Sequence, residues 1–346
     1  MLIRFWPHTT NQNVASYRLR CLNIVRKLGK RGLNVDIYRE GDKPEILVLS
    51  KRYDSASLNK ALKLKEDHGT VICLDLCDNH FYYSVPDTDA IDRANTLRQA
   101  IKLVDRIFVS SHYLADLVQE ENGEGRPVSV VGDIVEEAQE YTSLDIIKHP
   151  VDYIRLKILD VLIAKHLIKK SHRLIWFGHH GSNFTDGGMR DLKAVLPILE
   201  ALNQKHKICL TVISNSKKTY TDTFAKSSLN TFYIPWSRPF FSAALKIQGI
   251  SIIPIQKNPF TMAKTSNRVA TSLVHDLKVV ADIIPSYEEY KQIIASGDWL
   301  ENLTQLLTEG NVPSYVFNLE SKNNAVVNTW QKLFDDLAKS EADIHA

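Results

Sequence analysis

The chain has 346 residues, 44% hydrophobic and 24% charged, too long for one ordinary core and balanced as two soluble globular domains rather than a disordered or fibrous protein. Forty-three Lys and Arg against 40 Asp and Glu leave a net charge of +3, which gives no electrostatic reason to expect nucleic acid as a partner. No run approaches the roughly 20 apolar residues of a membrane span, and the start MLIRFWPHTT lacks the features of a secretory leader. With four sparse cysteines, Cys21, Cys73, Cys77 and Cys209, read as reduced thiols, the expectation is a cytoplasmic protein.

In chain order, short apolar runs alternate with helical patterns. Leu2 to Trp6, Val35 to Tyr38, Ile46 to Leu49, Val71 to Leu76, Ile107 to Ser110 and Val128 to Val131 read as strands. Ala15 to Lys30, Ser57 to Glu66, Asp89 to Leu103 and Tyr113 to Glu120 are long enough for crossover helices. The rhythm restarts at Leu174 to Phe177 and recurs at Ile208 to Ile213, Thr231 to Ile234, Ile250 to Pro254 and Lys278 to Ala281. The pattern predicts an α/β protein of two doubly wound, Rossmann-like domains: residues 1–150, a linker helix over 151–170, residues 171–322, and a C-terminal helix over 323–346. The stretch 151–170 reads equally as the last helix of the first domain. The last helix carries Trp330, Leu333, Phe334 and Leu337 on one face and is expected to pack back across a cleft between the domains.

Ligands of open α/β sheets bind beyond the carboxyl ends of the strands. After the early strands stand Trp6, Pro7 and His8, then Asp78, Asn79 and His80, then Ser110, Ser111 and His112, then Gly132 and Asp133. In the second half they are Gly178, His179, His180, Gly181 and Ser182, then Ser214 and Asn215, then Trp236 and Ser237, then Lys264, Ser266, Asn267 and Arg268. Gly178, Gly181, Gly187 and Gly188 at a strand-to-helix junction suit a diphosphate, or serve only the turn. Lys264-Thr-Ser-Asn-Arg268 suits an oxyanion, or is a solvated helix cap. His80 is a candidate proton relay, or a structural imidazole. The helix from Tyr17 to Arg31 carries Arg18, Arg20, Arg26, Lys27, Lys30 and Arg31 without an acid; this face either meets an anionic membrane surface or is simply solvated. No spaced metal pair, serine elbow or P-loop occurs, so no metal site is expected.

Several segments together resemble the GT-B glycosyltransferases, in particular the retaining, family-4-like group that builds bacterial surface polysaccharides. Ala15-Ser-Tyr-Arg-Leu-Arg20 looks like a first-helix signature of polysaccharide transferases, Val104-Asp-Arg-Ile-Phe-Val-Ser-Ser111 like a reporting strand, and Ile175-Trp-Phe-Gly178 like the strand opening the donor domain. The block from Lys264 to Ala281, followed by Ile284-Pro-Ser-Tyr287, is similar to the family's donor-site block. The resemblance implies a cleft with an acceptor on the first domain and a nucleotide-sugar donor on the second, and transfer without a cofactor or required metal. The acceptor would be a glycan, lipid-linked or protein acceptor, and the location cytoplasmic or at the inner membrane face.

Carried over, Lys264, Ser266, Asn267 and Arg268 would face the donor's sugar and diphosphate, Trp236 the base, and Asp78 and His80 the reacting centre. Gly178, His179, His180 and Ser214 would complete the donor site. The chain departs from the pattern at the family's glutamate pair, where it has Ala263 and Thr271, and at an Arg and a Lys, where it has His179 and about Gly187. Two readings follow: a sugar transferase with Lys264 and Arg268 stabilising the leaving group, and a non-catalytic binding or scaffold protein of the same fold.

Overall fold

In the computed structural model, which describes residues 1–123, 125–182, 184–308 and 317–344, the chain divides into two compact units. The first comprises Met1–Glu136, Met262–Thr265 and Asn318–Ala346, the second Glu137–Thr261 and Ser266–Phe317. The first change of unit thus falls between Glu136 and Glu137, ahead of the expected boundary at 150.

In the first unit β1 (Leu2–Pro7), β2 (Asn34–Ile37), β3 (Ile46–Ser50), β4 (Val71–Leu76), β5 (Arg106–Val109) and β6 (Val128–Val130) form one sheet in the order β2-β1-β3-β4-β5-β6. All pairings are parallel, with Ile3 opposite Ile46 and Val48 opposite Cys73. β3 is buried at every residue and β4 at all but its first, the mark of a parallel sheet covered on both faces. Helix starts follow side-chain caps: Asp54 accepts from the Ser57 amide, Asp87 from Ala90 and Ser111 from Leu114. The helix predicted from Ser57 therefore begins at Ser55.

The second unit has β7 (Arg173–Phe177), β8 (Cys209–Ser214), β9 (Thr231–Pro235), β10 (Ile250–Ile253) and β11 (Lys278–Ala281) in the order β11-β10-β7-β8-β9, again parallel. Each sheet has a point where strand order reverses, between β1 and β3 and between β7 and β10, and loops there are the ones that hold ligands in such sheets. The helix Pro150–Lys165 belongs to the second unit, where Leu156, Leu159 and Ile163 pack with Phe240 and Leu245. No helix among the described residues is long and apolar enough to cross a membrane.

The last helix, Leu319–Ile344, seats Val326, Trp330, Phe334 and Leu337 in the core of the first unit. Trp330 stands edge-on to Phe5 at 5.4 Å and to Phe108 at 5.1 Å, and stacks on Phe334 at 5.6 Å. Asn323 clasps the loop after β6 with two hydrogen bonds of 2.9 Å to the Val135 backbone. Because Trp330 has no accessible surface, Trp330→Ala is expected to destabilise the first unit by about 3–5 kcal/mol, read as a lower urea midpoint followed through Phe and Trp emission.

Candidate functional site

Two clusters of polar side chains stand at the carboxyl edges of the two sheets. The first is built from the ends of β3 and β4. Lys51, next after β3, sits in the left-handed backbone region (φ 53°), with its amide bonded to the Asp75 carbonyl at 2.7 Å. This unusual turn sends its ammonium to Asp78, which also accepts from Lys264. Burial pushes the Asp78 carboxyl up, but Lys264 and Lys51 pull harder and hold it well below the usual carboxylate range. His80 Nδ1 shares a 2.5 Å hydrogen bond with the Tyr53 hydroxyl, and its Nε2 lies 3.9 Å from Asp78. Burial and the ammonium of Lys51 push the imidazole down to about 3, despite Asp78, so His80 is neutral at working pH and serves as a hydrogen-bonding group rather than a base. The turn itself is set by Asn79, whose Oδ1 accepts from the amides of Phe81 and Tyr82 at 3.1 and 3.3 Å.

Beneath this cluster lies an ion triad. Arg20, in a π-helical turn over Arg18–Leu22, forks onto Asp75 and donates to Asp133 at 2.7 Å and to the Val131 carbonyl at 2.9 Å. Ser50 closes the other side of Asp75 at 3.1 Å. Arg18 is bonded to Glu136 at 2.9 Å and the Gln12 carbonyl at 2.8 Å, and Arg31 to Asn328 at 2.7 Å. The helix over 17–31 is therefore not the uniform basic face expected from sequence. Arg18 and Arg20 are interior groups whose acids come from distant segments, leaving Arg26 and Lys30 exposed.

The second cluster surrounds the loop after β7. Gly178 ends the strand, its amide bonded to the Ile213 carbonyl at 3.1 Å and its carbonyl accepting from Ser214 at 2.8 Å. His180 uses its amide and Nδ1 to hold Asn215 Oδ1 at 3.0 and 2.9 Å. A Cβ on Gly188 would stand 2.7 Å from the Gly181 nitrogen, so the loop closes backbone on backbone. That packing admits only glycine, and both residues have positive φ. Helical structure starts directly after, at Gly188–Asp191 and Leu192–Lys205, which points its amides toward the loop.

Arg268, in the first turn of Asn267–Val274, has a guanidinium nitrogen 3.8 Å from the position a Gly178 Cβ would take and hydrogen-bonds the buried Tyr287. Asp191 is buried, takes the Gly188 amide at 3.2 Å, and has no partner for Oδ1. Burial pushes its carboxyl up to about 6 against the pull of Arg268. Ser266 donates to Glu289 at 3.1 Å, and Trp236 packs on Phe241 with its amide on Ser214. His179 stacks on His180, ring centres 4.4 Å apart.

The structure thus joins Asp78, His80 and Lys264 in one cluster and Gly178, His179, His180, Ser214 and Arg268 in another. Lys264 belongs to the first unit and Arg268 to the second, although they are four residues apart. Ala263 is wholly buried in the first unit's core, its carbonyl accepting from Ser111 at 2.9 Å, so this position has no room for the glutamate of the family pattern. Sequence reading missed Lys51 and Tyr53, which the same after-strand rule would have found at the end of β3; Asp191 lies inside a helical start and gives no such signal. Among the described residues no group of three His, Cys, Asp or Glu is placed to hold a metal ion.

Two parallel Rossmann-like sheets of these orders, with a last helix that returns to the core of the first unit, are those of the GT-B fold. Among solved structures the chain is similar to Anabaena HepE in complex with UDP and glucose (TM-score 0.58, 10% identity, 98% of this chain and 99% of that one). It is likewise similar to WaaG, a glycosyltransferase involved in lipopolysaccharide biosynthesis (TM-score 0.54, 12% identity, 99% of each chain). A third is a mutant of S. aureus TarM in complex with fondaparinux, alpha-GlcNAc-glycerol and UDP (TM-score 0.55, 10% identity), of which the chain spans 58% while 90% of its own length is matched. At these identities the likeness is one of fold. No family model matches the sequence, and no curated protein matches it.

Two titrations check the electrostatics. His80 should remain neutral from pH 8 down to about pH 4, seen as unchanged imidazole nitrogen shifts, and Lys51→Met should raise its pKa. For Asp191, an unfolded carboxyl loses its proton near pH 4 while the folded one keeps it to about 6. Stability contributed by the protonated acid is present at low pH and falls by about 3 kcal/mol as pH rises through that window. Asp191→Asn should flatten the profile in denaturation series at pH 4 to 7.

Proposed function

We propose that the chain is a glycosyltransferase that moves a sugar from a nucleotide-sugar donor to a glycan or lipid-linked acceptor, with retention and without a required metal. The observation that carries the reading is the whole-length fold match to HepE, whose structure holds UDP and glucose, together with the second-unit glycine loop beside the guanidinium of Arg268. In that loop, which Gly181 and Gly188 close, the guanidinium of Arg268 and the dipole of the helical start after Gly187 would take the donor diphosphate. They would stabilise the charge that grows as the glycosidic bond breaks.

Trp236 and Ser214 would border the base, and Ser266 and Asn267 the sugar. In the first unit, Asp78 and neutral His80 would meet the acceptor side of the reaction, with Lys51 and Lys264 keeping Asp78 ionised and Tyr53 fixing the imaginable rotations of His80 to one orientation. His80 would then accept a hydroxyl hydrogen bond rather than donate from a charged ring.

The scaffold reading draws on Ala263, where burial leaves no place for a carboxylate. Both are tested by a thermal-shift panel against UDP, GDP, CMP and dTDP and their sugars, in which a ligand at 100 times its dissociation constant adds about 2.7 kcal/mol. We expect a shift with one nucleotide class, abolished by Arg268→Ala, and release of that nucleotide from its sugar when acceptor is supplied. Binding without release would favour the scaffold, and no binding to any member would sink both.

A further inference from the structure

The helix Pro150–Lys165 is apolar on two faces. Leu156, Leu159 and Ile163 are buried against the second unit. Val151, Ile154, Ile158 and Val161 point elsewhere, and each is more than half exposed. At 100° per residue these four fall within about 80° of one another, on a stripe separate from the buried one. The stripe continues beyond both ends of the helix into Ile147 and Leu167, the latter 83% exposed. Of the thirteen exposed large apolar side chains among the described residues, eight lie between Leu144 and Leu167, so this is one patch and not the scatter normal for a surface. Leu167 also holds a left-handed backbone (φ 52°), a position where glycine is usual, and so an apolar side chain is presented at the helix end at a conformational cost.

The charges around the patch say what would cover it. Lys148, Lys157, Lys165, Lys169 and Lys170 are all exposed along its length. The helix has two acids, and one of them, Asp152, is taken by Arg155 at 3.0 Å, leaving Asp160. A two-fold pairing of this helix with a second copy would set lysines against lysines. An anionic bilayer surface instead accepts aliphatic side chains to the depth of the acyl boundary and lysine ammoniums at the headgroups. We propose that this ridge docks the second unit onto an anionic phospholipid surface. The site is distinct from the helix over 17–31, whose Arg18 and Arg20 are spent on Glu136 and the buried Asp75, and the inference does not depend on the transferase reading.

The test is flotation of the full chain with vesicles of phosphatidylcholine alone and of phosphatidylcholine with one third phosphatidylglycerol. Binding to the anionic vesicles should exceed binding to the neutral ones by at least roughly tenfold and weaken with salt. The double variant Ile154→Asp, Ile158→Asp should lose it by a similar factor with its melting temperature kept, while Arg26→Glu, Lys30→Glu should bind as the parent does. Three results would overturn the proposal: no vesicle binding, binding that survives the double aspartate variant, or a dimer by sedimentation velocity that the same variant dissolves.

Discussion

One buried guanidinium organises the carboxyl edge of the first sheet. Arg20 reaches Asp75 inside β4, Asp133 after β6 and the Val131 carbonyl, and through Asp75 it also engages Ser50 at the end of β3. Four segments that are far apart in the chain are thereby fixed at one level of the sheet. Desolvating these charges is costly, and removing any one partner would strand the others. Such a network contributes geometry more than stability: it fixes where β4 ends, and three residues later Asp78 begins the functional cluster.

The second sheet solves the same problem with backbone. Its switch point between β7 and β10 is closed by glycines whose chains touch directly, and the buried carboxyl of Asp191 takes the Gly188 amide beside Arg268. A rigid glycine loop beside a cation suits a ligand that brings its own negative charge. The two clusters thus differ in kind. The first unit's is charge-saturated before any ligand arrives, and the second's sets a guanidinium beside a closed glycine loop.

The central strands were legible in the sequence because parallel strands buried on both faces read as unbroken apolar runs such as Ile46 to Leu49 and Leu174 to Phe177, while the less buried edge strands β2 and β6 showed only through the alternation with helices. The after-strand rule likewise reached Asp78, His80, Gly178 and Ser214. What stayed hidden depends on partners far away in the chain. Arg18 and Arg20 read as a solvated basic face because Glu136 and Asp75 stand 118 and 55 residues away. Lys264 and Arg268 read as one pair because they share a helical approach, and only the contacts reveal that Lys264 goes with Asp78. The helix Pro150–Lys165 read as a linker or as the last helix of the first domain, and its ridge stayed hidden because a sequence shows that a residue is apolar but not that it lacks a cover.

The position of Trp330 and Phe334 in the first unit's core has a consequence for biosynthesis. Part of this core's helical wall comes early, from Ile24, Val25 and Leu28, but Trp330 and Phe334 are translated only after all five strands of the second unit. The second unit can close on itself during synthesis, whereas Phe5 and Phe108 lack their aromatic partners until the final helix emerges. The half of the protein made first is the half completed last, and its interval of exposed aromatic surface is the time in which a chaperone would be of use.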